Sequence, residues 1–202
     1  MSFKDELDYF NVKKPLRMLY TGNLLIGREK SLQKLSLALS IINEKEIKIV
    51  LDVYTQTQIS NEHLEKINSD SCHIYAPISQ KEVLKKQADA DVLLFLEDMS
   101  SDNLLARLSF STKITDYFSA GKCVFALGNA DLAPIQYFKE TKSAIVVEKE
   151  EEILSSLQKL LNNRIMAECA KNAVECGVKN HGPELILEKF DKVLKHTEEG
   201  HE

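Results

Sequence analysis

Val92–Leu96 reads Val-Leu-Leu-Phe-Leu and Cys123–Leu127 reads Cys-Val-Phe-Ala-Leu, two unbroken apolar runs of strand length with a helical pattern between them. Strands apolar at every position are covered on both faces, which is the condition of a parallel sheet sandwiched by helices. The same alternation runs along most of the chain. Leu16–Thr21 is a short apolar run stopped by Gly22-Asn23, and from Glu29 to Asn43 the residues Leu32, Leu35, Leu39 and Ile42 recur at helical spacing. Ile47–Tyr54 reads as a second strand buried on both faces, 61–68 as a short helix, Cys72–Tyr75 as a strand and 80–88 as a helix. A helix over 112–120 ended by Gly121, another over 132–140, and a last strand over 144–147 continue the series. Helices are then expected over 150–162, 164–176 and 184–196, with a break at Gly182-Pro183.

Strand–helix alternation of this kind predicts a Rossmann-like doubly wound parallel sheet of about six strands with C-terminal helices. The polar stretch 1–15, ending in Lys13-Lys14-Pro15, is read as a lead-in; 16–178 is the Rossmann-like domain and 179–202 a C-terminal helix and tail. A chain of 202 residues with 44% hydrophobic content can bury such a core without disulfides or a structural metal. The four cysteines, Cys72, Cys123, Cys169 and Cys176, form no Cys-x-x-Cys pair and are read as buried free thiols. The net charge of −5 lacks the basic stripe of a nucleic-acid platform. No apolar stretch is long enough to span a bilayer, and the domain is read as cytoplasmic.

Ligands of doubly wound sheets bind beyond the carboxyl ends of the strands. The loop after the first strand, Gly22-Asn23-Leu24-Leu25-Ile26-Gly27-Arg28, carries glycine where a backbone could approach a phosphate and opens a helix. Its spacing is neither the dinucleotide fingerprint nor a P-loop. An NAD-linked oxidoreductase is disfavoured on that ground. In Ser111-Thr112-Lys113, either hydroxyl suits an N-cap, and the lysine in the first turn opposes the helix dipole unless an anion lies beside it. Asp116, one turn on, is placed to accept hydrogen bonds from sugar hydroxyls. No histidine has a revealing partner in sequence, and none is given a metal or catalytic role.

Ser-Thr-Lys-Ile-Thr-Asp-Tyr-Phe-Ser-Ala-Gly-Lys-Cys-Val-Phe-Ala-Leu, residues 111–127, resembles the signature of retaining GT-B glycosyltransferases, in which a helix ending in Ala-Gly-Lys precedes a buried strand. The resemblance extends from 20–23 to 144–147 and implies the C-terminal, donor-binding half of such an enzyme, with a hexosyltransferase-like activity in polysaccharide biosynthesis. It implies that Gly22, Arg28, Ser111, Thr112 and Lys113 meet the donor diphosphate, that Asp116 binds the ribose, and that the loop Tyr75, Ala76, Pro77 and Ile78 reads the base. Four departures stand out: Asn23 replaces a common basic residue, Asp116 a glutamate, Leu108 the first acid of the paired motif, and Cys123 a frequent proline. Glu97, Asp98 and Asp102 in the adjacent loop either compensate for the missing acid or are solvated carboxylates, and the second reading is preferred.

The implied substrate is a nucleoside-diphosphate sugar, a UDP-sugar by preference, with no cofactor and no metal. The implied partner is an N-terminal acceptor domain that this chain lacks, so the chain alone is expected to bind donor but transfer negligibly. The alternative is a non-catalytic nucleotide-binding or interaction module of flavodoxin-like fold. Arg28 and Lys113 are read as surface cations whose removal changes stability by no more than about 0.5 kcal/mol.

Overall fold

The computed structural model describes residues 15–100 and 111–182. The expected helix over 184–196, and the positions Asp102 and Leu108, lie outside the described residues. In chain order the elements are β1 (Leu16–Thr21), α1 (Arg28–Ile42), β2 (Ile49–Tyr54), α2 (Asn61–Ile67), β3 (Cys72–Tyr75), α3 (Gln80–Asp89), β4 (Val92–Leu96), α4 (Lys113–Ala120), β5 (Cys123–Leu127), α5 (Ala133–Thr141) and β6 (Ile145–Val147). A 3₁₀ turn (Glu150–Glu152), α6 (Ile153–Leu160) and α7 (Asn163–His181) follow.

The strands form one six-stranded sheet in the order β3-β2-β1-β4-β5-β6, parallel throughout. This is the Rossmann order, and the strand sequence reverses direction between β1 and β4. There β1 and β4 end at the same edge, and the helices that come after them, α1 and α4, pack on opposite faces, which opens a crevice.

The sheet separates two cores, and the central strands feed both. Met18, Leu94, Phe125 and Leu127 pack on one face with Leu32, Leu35 and Leu39 of α1 and Leu157 and Leu160 of α6. Leu19, Leu93, Phe95, Val124 and Ala126 pack on the other with Ile114, Tyr117 and Phe118 of α4 and Ile135 and Phe138 of α5. β4 and β5 are buried at every residue, as their continuous apolar runs require. β2 differs from the sequence reading. It starts at Ile49, with Ile47 exposed, and only alternate residues are buried, because Val50, Asp52 and Tyr54 project from a face that helices leave half covered.

α7 passes beneath the amino ends of β5 and β6 and joins both cores: Cys169 belongs to the first, Ala173 and Cys176 to the second. The Cys169 thiol lies 3.7 Å from the Val124 carbonyl and 3.8 Å from that of Ser143. All four cysteines are buried free thiols. The helix runs past the expected end at Cys176, because Gly177 is required by packing and does not stop it: a Cβ there would come within 2.9 Å of the Phe118 Cβ.

Candidate functional site at the sheet crevice

β1 delivers Gly22 to the crevice, its N–H still in the ladder to the Tyr54 carbonyl at 3.0 Å. Gly22 has φ +151°, a conformation side chains rarely adopt. The loop then tightens. Asn23 Oδ1 accepts from the Leu25 N–H at 3.3 Å, and the Leu24 N–H donates to Thr57 Oγ1 at 2.9 Å, tying this loop to the one after β2. Ile26 and Gly27 both take left-handed conformations, with φ 57° and 78°, and α1 starts at Arg28. A Cβ on Gly27 would strike the Asp98 carboxylate, so glycine here admits the β4 loop to the helix start.

Arg28 turns across the crevice towards β4. Its Nε donates to the Leu96 carbonyl at 3.1 Å, Nη1 to Asn23 Oδ1 at 2.8 Å, and Nη2 contacts both Glu97 oxygens at 2.9 and 2.8 Å. Glu97 is 8% exposed. Its reading as a solvated loop carboxylate is therefore corrected: it is a buried ion-pair partner, placed there because β4 runs straight into the crevice. The signal was present in sequence, as an acid directly abutting an unbroken apolar strand. Asp98 instead accepts from the N–H and hydroxyl of Ser100, at 3.0 and 2.6 Å.

Lys113 enters from the other side, at the first turn of α4. Its Nζ lies 4.7 Å from the centroid of the Tyr20 ring, and its tip occupies the space that a Cβ on Gly22 would need. The Tyr20 hydroxyl donates to the Asn23 carbonyl at 2.5 Å. Burial, then the neighbouring Arg28, depress the lysine to a pKa of about 8, while Glu97 acts the other way. Gly22 and Arg28 of one loop and Lys113 from far along the sequence thus border the same crevice: the lysine tip abuts Gly22 and feels the Arg28 charge. Tyr20, Asn23 and Glu97, which the sequence reading gave no part, complete the cluster. Neither cation is a free surface charge.

The remaining candidates are arranged more loosely. Thr112 precedes α4 but makes no side-chain cap; Ser111 Oγ accepts from the Lys113 N–H at 3.4 Å. Asp116 is exposed one turn along the helix. The Tyr75 ring is stacked on Tyr54, centroids 4.9 Å apart, and its carbonyl accepts from the Thr55 N–H at 3.2 Å, so this residue is engaged within the sheet. Ala76 and Pro77 are exposed and Ile78 half-buried at the end of β3. His63, isolated in sequence, is brought by α2 onto the Glu29 carboxylate. Among the described residues no group of three or more His, Cys, Asp or Glu could hold a metal, and no helix is long and apolar enough to cross a membrane.

The strand order defines a doubly wound domain, and its crevice at the switch point of the sheet carries glycine on one wall and two cations from opposite loops. The fold is that of a GT-B glycosyltransferase domain. No protein-family model matches the chain, and no curated protein matches it in sequence. Solved structures do. A glycosyltransferase from Rickettsia africae is similar over 97% of this chain and 52% of its own, with TM-score 0.68 and 12% identity. TarM of S. aureus, solved with fondaparinux, α-GlcNAc-glycerol and UDP, is similar over 90% of this chain and 36% of its own, with TM-score 0.66 and 14% identity. MnaA of S. aureus, solved with UDP, is similar over 86% and 43%, with TM-score 0.57 and 13% identity. The chain spans about half or less of the length of these proteins.

Proposed function

We propose that the domain binds a nucleoside-diphosphate sugar and serves as the donor half of a glycosyltransferase. The observation that carries this reading is the convergence of Gly22, Arg28 and Lys113 at the β1–β4 crevice. A diphosphate approaching Gly22 meets the Lys113 ammonium. Arg28 offers it the Nη1 hydrogen that has no acceptor among the described residues. As the sugar–oxygen bond breaks, charge develops on the leaving diphosphate, and these fixed cations stabilise it in a partly water-excluded site. Asp116 takes the ribose hydroxyls, and the backbone of 76–78 reads the base. UDP is favoured because two structural neighbours were solved with it.

The acceptor then belongs to a second domain, since the structural neighbours are about twice this chain's length or more. Sugar transfer by these residues alone is expected to be negligible, and the setting is cytoplasmic.

Titration calorimetry with UDP, GDP and ADP tests the reading. Lys113→Ala is expected to weaken binding by roughly tenfold to a hundredfold, the loss of one charge-assisted contact. Asp116→Asn is expected to weaken nucleotides but leave pyrophosphate binding unchanged. No binding of any of the three nucleotides by the parent chain would remove the donor reading. Nucleotide binding without transfer, even with an acceptor domain supplied, favours the non-catalytic module.

A further inference from the structure

Glu97 is an expensive residue where it stands. A carboxylate withdrawn from water loses solvation that only pairing restores, and this one also repels an anion entering the crevice. Shape does not explain it, because glutamine has the same shape and could accept from Arg28 through its amide oxygen. Only a carboxylate supplies negative charge that touches Arg28 and also acts on Lys113.

Among the described residues, the charged and titratable groups facing Lys113 come from three strands and helices and from its own helix. Tyr20 comes from β1, Arg28 from α1 and Glu97 from the end of β4, with Asp116 exposed on its own helix. Burial of Tyr20 pushes its hydroxyl far above its ordinary range, so it stays neutral. Of the two charges acting on the lysine, Arg28 opposes its ammonium form and Glu97 supports it. The Glu97 carboxylate touches Arg28 directly, at 2.8 Å, and fixes the guanidinium that the Leu96 carbonyl and Asn23 also hold.

We propose that Glu97 is a positioning residue of the anion site: it fixes the Arg28 guanidinium at the end of β4 and supplies the negative charge that lets Arg28 and Lys113 stand side by side as cations. This rests on the diphosphate reading above. If anion binding needs the Lys113 ammonium, affinity for UDP in the unaltered chain weakens about tenfold between pH 7 and pH 9, as a group of pKa about 8 loses its proton. In Glu97→Gln the lysine faces an uncompensated Arg28, and the weakening moves to lower pH. Glu97→Asp keeps the charge and returns the midpoint towards that of the parent.

The test is calorimetry of the whole chain with UDP and with pyrophosphate from pH 7 to 9.5, alongside the ¹³C titration of Lys113 in the ligand-free protein and thermal melts of each variant. A midpoint lowered in Glu97→Gln and restored in Glu97→Asp supports the proposal, whatever the melts show. An unmoved midpoint in Glu97→Gln, with only the melting temperature reduced, makes Glu97 a packing residue and overturns it. A midpoint displaced equally in both variants also overturns it. Absence of nucleotide binding at every pH, with pyrophosphate still bound and its midpoint displaced by Glu97→Gln, overturns the donor reading and leaves the Glu97 proposal standing.

Discussion

Lys113 lies over the ring of Tyr20, its Nζ 4.7 Å from the centroid, with its tip in the space that a side chain at Gly22 would occupy. The strand that ends in Tyr20-Thr21-Gly22 therefore supplies both a platform for the cation and the gap it sits in. Cation–π contact contributes about 0.5–2 kcal/mol, rising with desolvation. It holds the amine at the crevice but does not offset its burial in full, since the lysine remains well below its ordinary pKa.

Lys113→Met should consequently stabilise the protein while removing anion binding. The folded pKa of about 8 lies below the unfolded value near 10.4, so the fold disfavours the charged form. That penalty is fully present below pH 8 and fades as pH rises from 8 towards about 10.5, where the unfolded lysine also loses its proton. After discounting for solvent screening, methionine should add about 1–2 kcal/mol at pH 7, a rise of several degrees in melting temperature. The advantage should vanish in melts at pH 10.5. A lower melting temperature than the parent at pH 7 would show that the ammonium is stabilising.

Gly22→Ala separates binding from folding in the other direction. The new Cβ collides with the end of a flexible lysine, which can swing aside, so the fold survives with a penalty of about 1–3 kcal/mol from the positive φ. The lysine is then displaced from the crevice. UDP binding measured by calorimetry should fall by at least tenfold, with a folded circular dichroism spectrum.

Arg28→Ala should be destabilising, contrary to what a surface cation would show. It strands the Glu97 carboxylate, 8% exposed, and the Leu96 carbonyl without their donor. Loss of charged hydrogen bonds of this kind costs about 1.5–3 kcal/mol. Urea melts at pH 7 measure it. The loss should shrink in Arg28→Ala/Glu97→Gln, because no buried carboxylate is then left without its donor.

The legibility of these features in sequence follows from their range. β4 and β5 were readable because burial on both faces writes itself as five consecutive apolar residues. The half-open face of β2 was not, because which helices cover a strand is decided by crossovers made elsewhere in the chain. Gly22, Arg28 and Lys113 could be named from turn chemistry and resemblance. What they touch could not: the Arg28–Glu97 pair joins positions separated by 69 residues, and the one local mark that separates Glu97 from Asp98 is its place directly after the apolar run of β4, which names no partner. The sheet supplies that difference, since one acid follows the last ladder bond of β4 and the other faces the Ser100 turn. The contact of His63 with Glu29 was missed for the same reason.

The hydroxyl and the ring of Tyr20 have separable duties, and two substitutions divide them. Tyr20 is 1% exposed, and burial keeps its hydroxyl protonated across the accessible pH range, so it is a donor to the Asn23 carbonyl throughout. Tyr20→Phe removes that bond alone, at about 0.5–1.5 kcal/mol, and leaves the face beneath Lys113 intact. Its melting temperature should fall by a few degrees, and UDP affinity should stay within about twofold of the parent, since the loop is still held by Leu24–Thr57 and Asn23–Arg28. Tyr20→Leu keeps an apolar side chain but removes the ring. The lysine then loses its cation–π contact in an equally buried place, its ammonium becomes harder to maintain, and the pH at which UDP affinity falls should move below that of Tyr20→Phe. Calorimetry of the two variants from pH 7 to 9.5 reads this directly. Equal pH midpoints in Tyr20→Phe and Tyr20→Leu would mean that the ring only fills space, and that Lys113 is held at Gly22 by its charged neighbours alone.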